Sequence, residues 1–406
     1  MAVFALAVLS HPVQGQVKDD VLLPEYTAVQ GVTGALKIIG SDTMKHEMAL
    51  LTEGFKKFYP SVGVEIEGKG SSSAPPALLS GAAQFAPMSR AMKAEEVNDF
   101  KKKFGYRPVA LATSIDMLAV FVHKDNPLQG LTLQQVDALF SSTRKGGYIK
   151  SVNTWGDLGL EGEWADKPIT FYGRNAISGT HLFFREHALF NGAFRSEVKE
   201  QPDSPSVVEH VAGDRYAVGY SGIGFKSAAV RALPLALDIK SEYFDAEPDN
   251  AYSGNYPLTR MLFLYVNHPP GREMDLLRRE FIRYLYSQQG QADVVRSGYL
   301  PVGNLIATRA LASVDYKLWS AAAQTPATTP TPIDKPSLAP IAGPALAPIA
   351  GPAVARGDEA AQLPTADWDE HQLNTAEKCS AQEDHRSHGG RKHRLRDRRK
   401  RGHALP

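Results

Sequence analysis

The chain has 406 residues, 43% hydrophobic and 22% charged, with a formal net charge of +1. That is globular composition, long enough for two domains with extra segments, and the near-neutral balance argues against a folded body that grips nucleic acid through bulk positive charge. A single cysteine, Cys379, excludes an intrachain disulfide.

Met1 to Ser10 is the apolar run of a signal peptide, and the small residues Val13 and Gly15 suit cleavage after Gly15. The basic segment that precedes such runs is absent, so the true start is expected upstream. No cysteine follows to carry a lipid anchor, and no later stretch approaches the roughly 18 apolar residues of a membrane span. An exported, soluble protein is expected.

Ala35 to Gly40 predicts a strand running into Ser41, Asp42 and Thr43, all favourable N-cap residues. Met44, Met48, Leu51, Phe55 and Phe58 then recur with the spacing of a core-facing helix, which Pro60 ends. His46-Glu47 begins the zinc-protease helix motif, but Leu50 stands where its second histidine belongs. Val62, Val64 and Ile66 alternate as a half-buried strand leading to Gly68-Lys69-Gly70-Ser71-Ser72-Ser73-Ala74-Pro75-Pro76. Proline suits a first helical turn, whereas Ala74, preceding proline, is biased away from helix. The loop lacks the last glycine of a dinucleotide fingerprint and the Gly-Lys-Ser/Thr of a P-loop.

A strand over Ala82 to Arg90, ending Met88-Ser89-Arg90, and a charged helix over Ala94 to Phe104 follow. Val109 to Val122, apolar except at Thr113, Ser114 and Asp116, is expected to cross from one lobe to another. Thr132 should cap a helix through Phe140, and Gly146 to Trp164 should be an ordered loop. Ile169 to Gly173 predicts a strand, and His181 to Phe190 an amphipathic helix.

Between them lies Arg174-Asn175-Ala176-Ile177-Ser178-Gly179-Thr180. It sets free amides at a helix N-terminus, where unpaired N–H groups and the dipole favour an anion. Gly179 permits close backbone approach, and the Ser178 and Thr180 hydroxyls can donate. Arg174 offers a planar fork of donors suited to a tetrahedral oxyanion. A plain helix cap with a surface arginine explains this stretch equally well on its own. Recurrence of strand, polar loop and helix at Ser41–Met44 and Lys69–Ser73 favours the anion.

Ser206 to Val211 is expected helical, and Ala217 to Tyr220 a buried strand. Ser221 sits in Gly219-Tyr220-Ser221-Gly222-Ile223, which fails the nucleophile-elbow pattern because isoleucine replaces its second glycine. Tyr252 to Arg260 should form a second crossing into a strand over Met261 to Val266, followed by helices over Arg272 to Tyr286 and Gln291 to Ser297. Strands alternating with helices imply an α/β architecture with ligand sites at strand carboxyl ends.

After about Ala321 the composition changes. Thr325 to Pro352 is proline-rich, with Leu338 to Ala345 repeated as Leu346 to Ala353, an extended linker. Asp358 to Asp384 is acidic and His385 to His403 basic. A disordered tail of unassigned partner is expected; the alternative is a grip on an anionic surface such as lipid head groups or nucleic acid.

In order, Gly40 to Met44, Gly68 to Ser73, Phe85 to Arg90, Arg174 to Thr180 and Ala217 to Tyr220 resemble the motifs of phosphate-binding proteins of ABC-type phosphate uptake systems, the PstS-like periplasmic binding proteins. The resemblance covers roughly Thr33 to Ser313. It implies a two-lobed α/β periplasmic-binding-protein fold, type II-like, joined by two crossing strands. One lobe comprises 33–113 and 261–318 and the other 114–260; 1–32 are signal peptide and lead-in, and 319–406 linker and tail. It implies that Thr43, the Met44 amide, Ser71, Arg174, Ser178, Gly179 and Thr180 contact inorganic phosphate, with Ser72 beside them. It further implies a periplasmic monomer, without cofactor or metal, that serves the membrane permease of an ABC transporter. Where many relatives carry an aspartate that accepts the phosphate's proton, this chain places Ser89, then Arg90. Asp42, and after it Asp116, are the candidate acceptors.

Three alternatives stand beside this reading, the first within binding proteins and the other two of different classes. The ligand could be another tetrahedral oxyanion such as sulfate. A phosphatase-type enzyme would need a base beside a serine and usually a metal; His181 and His187 do not share a helix face, and His210 stands alone. A surface adhesin would attach through its tail, and removing residues after Ala321 distinguishes it, because anion binding should survive.

Overall fold

A computed structural model describes residues 23–314. The signal-peptide run and the proline-rich, acidic and basic segments therefore lie outside the described residues. The chain first builds strand β1 (Ala35–Gly40), helix α1 (Lys45–Phe58), β2 (Gly63–Gly68), α2 (Ala74–Ser80), β3 (Phe85–Met88) and α3 (Ala94–Phe104). β1 pairs in parallel with both β2 and β3, so Ile38 at its centre is buried. α1 lays Met48, Leu51 and Phe55 on the core, as the spacing predicts. Ala74 differs from expectation: it is helical (φ −66°, ψ −52°) and opens α2. The Ser71–Ser73 turn, with the Ser73 amide and hydroxyl both donating to Gly70 O, feeds it straight into the helix and overrides the pre-proline bias.

β4 (Val109–His123) then runs the length of two sheet halves. It is followed by β5 (Leu131–Thr132), α4 (Leu133–Phe140), β6 (Thr170–Arg174), α5 (Gly179–His187), β7 (Lys199–Gln201), α6 (Ser204–Gly213) and β8 (Ala217–Gly222). The remainder is β9 (Val230–Ala232), β10 (Leu235–Ala236), α7 (Pro248–Tyr252), β11 (Thr259–Val266), α8 (Leu276–Leu285), α9 (Gln288–Arg296), β12 (Leu300–Pro301) and α10 (Asn304–Val314).

The main sheet runs β2-β1-β3-β11-β4-β8-β6-β7, with β9 and β12 also on β4. The β4 segment Val109–Met117 is antiparallel to β11, and Leu118–Val122 is antiparallel to β8. β4 thus leaves one core, built on Ile38, Leu51, Phe55 and Phe281, and enters another, built on Val120, Phe140, Trp155, Phe184 and Tyr220. This is the expected two-lobed α/β fold.

Element ends moved where a cap decides them. Asp275 accepts from the Arg278 amide at 3.1 Å, so α8 starts at Leu276 rather than Arg272. Ser287 accepts from the Gly290 amide and starts α9 ahead of Gln291. The strand expected over Ala82 to Arg90 shrinks to β3, the second crossing strand begins at Thr259, and α5 starts at Gly179 under the Ser178 cap.

Candidate anion-binding site

Because β1 is parallel to β2 and β3, all three end at one edge, and their loops bring Ser41–Met44, Lys69–Ser73 and Ser89–Arg90 side by side. From the other lobe, β6 ends in Arg174, and Ser178 accepts from the Thr180 amide at 3.2 Å to start α5. The two sets touch. Thr43 Oγ1 lies 3.0 Å from Thr180 Oγ1, and the Ser72 amide donates to Ile177 O at 3.3 Å. Gly70, at φ +90°, sits where a Cβ would come within 2.6 Å of Ile177 O. At Gly179 a side chain would overlap the Ser71 and Ser89 hydroxyls. Ser71 Oγ accepts from the Ser89 amide at 3.0 Å and lies 3.2 Å from Ser89 Oγ. Met44 is buried immediately before α1.

Arg174 is 1% exposed. Nη1 donates to Ser204 Oγ at 2.9 Å, while Nη2 donates to Pro202 O at 3.0 Å and to Asp42 Oδ2 at 2.5 Å. Its Nε has no partner among the described residues. Tyr220 OH accepts from the Arg174 amide at 3.1 Å, and His181 Nδ1 meets the Arg174 carbonyl at 2.8 Å, so the backbone bearing this cation is held from two directions. Burial lowers the His181 pKa, which keeps the imidazole neutral at neutral pH.

Asp42 does not cap α1, which has no side-chain cap; its carboxylate reaches across to Arg174 and leaves a buried Oδ1 without a partner among the described residues. Arg90 turns away. Its Nη1 and Nη2 grip the Glu96 carboxylate, both at 2.8 Å, and Glu96 also accepts from the Lys93 amide at the start of α3. Asp116 is fully buried and accepts from Arg260 Nε and Nη2 at 3.0 and 2.7 Å. Burial pushes its carboxyl up, while Arg260 pulls it down.

Arg260 is the cation that sequence reasoning missed. Nη1 donates to Ser89 O at 2.9 Å, and Nη2 donates to Thr180 Oγ1 at 2.9 Å. A signal was present: an arginine opening an apolar strand, on the alternation of Leu262 and Leu264, while the other crossing segment carries one acid. Beneath the site, Glu47 of α1 accepts from Ser114 Oγ of β4 at 2.9 Å. Burial, reinforced by the charge of Asp116, raises its carboxyl to about 7.

Residues 26–289 match the PBP superfamily domain. The phosphate-binding protein PstS of Pseudomonas aeruginosa is 47% identical over 292 residues, 72% of this chain and 90% of that protein. The chain belongs to the PstS family of the PBP superfamily. An ABC-type phosphate transport receptor from Vibrio cholerae shares the fold at TM-score 0.52 and 23% identity, covering 66% of this chain and 100% of that one. A phosphate-binding protein from Stenotrophomonas maltophilia does so at TM-score 0.53 and 13% identity, over 68% and 93%. These three proteins bear the names of binding and transport proteins rather than enzymes. Among the described residues no helix is long and apolar enough to cross a membrane.

Proposed function

We propose that the protein captures inorganic phosphate between its lobes in the periplasm and, as a monomer, presents it to the membrane permease of an ABC-type transporter. The observation that supports this is the meeting of Thr43 with Thr180 and of Ser71 with Gly179 across facing loop ends, with the buried Arg174 joined to Asp42 beside Thr43, a set of groups suited to a tetrahedral oxyanion. Of the five Arg174 N–H donors, three are engaged, which leaves Nε–H and one Nη1 hydrogen for a ligand. Arg174 and Arg260 are each already paired with an aspartate. Bound charge would therefore be met chiefly by hydroxyls, amides and the N-termini of α1 and α5.

The partnerless Asp42 Oδ1 is the acceptor that separates phosphate, which carries a proton at neutral pH, from sulfate, which does not. We assign the lobes to 33–113 with 261–314, the remainder of the expected 261–318 segment lying outside the described residues, and to 114–260, closing about β4 and β11. Calorimetric titration of the full chain with phosphate and sulfate tests the function. Phosphate should bind and sulfate should bind at least about ten-fold more weakly. Binding of neither anion would refute the proposal, and equal binding would replace phosphate by a general oxyanion.

A further inference from the structure

Arg260 lies on β11 directly opposite Asp116 on β4, at the crossing between the lobes. Its guanidinium is held by Asp116, by the Ser89 carbonyl and by Thr180 Oγ1, with the Phe183 ring centre 5.3 Å away. The Thr180 contact has a chemical consequence. A threonine hydroxyl offers one proton and two lone pairs, and an arginine can only donate. The Arg260 N–H therefore occupies an acceptor position on Thr180 Oγ1 and leaves the hydroxyl proton for another acceptor, with Thr43 Oγ1 3.0 Å away. Ser71 and Ser178 are arranged alike, since their hydroxyl oxygens accept from the amides of Ser89 and Thr180. Two of these three hydroxyls are set by the backbone. The third depends on one side chain.

We propose that Arg260 is a positioning residue for anion capture, acting through Thr180 by holding its hydroxyl as a hydrogen-bond donor toward the bound oxyanion. This role rests on the phosphate site proposed above. It differs from that of a mere countercharge to Asp116, which any neutral pair of similar size would replace.

The full-length chain is titrated with inorganic phosphate by calorimetry as wild type, Thr180→Val, the double variant Arg260→Met/Asp116→Asn, and the triple combination, each with a melting curve. The double variant removes both charges, so no carboxylate is stranded. It should bind phosphate about ten-fold or more weakly, the loss typical of a hydrogen bond involving a charged group. Thr180→Val should lose a similar factor, and the triple variant should match Thr180→Val within about two-fold, because the two changes remove one interaction. Double-variant binding within about two-fold of wild type, or losses that multiply in the triple variant, would overturn the role. If the double variant does not fold, Arg260→Lys serves in its place with the same thresholds. It keeps a positive charge beside Asp116 but cannot supply three nitrogens at once. Wild-type protein that bound no phosphate would remove the site itself and this role with it; wild-type binding with unaffected variants removes the role alone.

Discussion

The ion pairs Arg174–Asp42 and Arg260–Asp116 share their chemistry and differ in their mechanics. Arg174 ends β6, Asp42 follows β1 in the facing lobe, and they meet only through the cleft. Arg260 and Asp116 are register partners on adjacent strands, inside a ladder running from Val109↔Val266 to Met117↔Thr259. Parting the lobes would separate the first pair and admit water to it, but the second cannot part without tearing the β4–β11 ladder. One pair spans the two facing loop ends, and the other is built into the strand ladder that both cores share.

The comparison breaks most easily on stability. Asp116→Ala strands Arg260 in a dry interior and should cost about 3–5 kcal/mol. Asp42→Ala should cost clearly less, because opening the cleft lets water hydrate Arg174. Urea unfolding of both variants checks this, and equal losses would mean that the two pairs are mechanically alike.

Affinity should show the reverse ranking. Arg174→Ala should weaken phosphate binding by about 2–5 kcal/mol, roughly thirty-fold to several thousand-fold. Calorimetry showing affinity within two-fold of wild type would remove Arg174 from the site.

The shared ladder should also be the pH-sensitive part, through Glu47. Its carboxyl is raised from 4.5 to about 7, so below pH 4.5 it is neutral in both folded and unfolded chains. As pH climbs from there to about 7, the unfolded chain ionises while the folded one holds the proton. Stability therefore falls across that window, by at most about 3 kcal/mol. Glu47→Gln keeps a hydrogen-bond acceptor for Ser114 and should flatten this contribution. Melting temperatures at pH 5 and pH 8 measure it, and an unchanged difference would show that Glu47 does not titrate there.

The smallest effect concerns selectivity. Asp42→Asn exchanges a carboxylate for an amide beside Arg174 and should lower the phosphate-to-sulfate affinity ratio by about ten-fold, mainly by admitting sulfate. Competition calorimetry decides, and an unchanged ratio would leave Asp42 as a structural partner of Arg174.

Much of this was legible residue by residue. The stripe from Met44 to Phe55, the Thr132 cap and the strand–loop–helix around Arg174 depend on neighbours within a turn or two, and the structure has them where they were expected; Phe58, at the end of α1, is exposed instead of facing the core. Arg90 was misleading because its position beside Ser89 puts it at the right loop, yet Glu96, six residues on, takes its guanidinium into α3. Asp42 looked equally like a helix cap because Ser, Asp and Thr before a helix ordinarily are; only the folded chain shows its carboxylate on Arg174.

By itself, then, the sequence determined the local elements, the anion-ready helix mouths and the two crossing segments, since periodicity and caps are properties of short windows. The tertiary structure alone decided which charges meet. Asp42 and Arg174 are 132 residues apart, and Asp116 and Arg260 are 144 apart. The second pairing follows from the register of β4 against β11, a slip of which by one residue would turn Arg260 to the opposite face. No short window encodes that register, because it is set by two cores packing on either side of a shared strand.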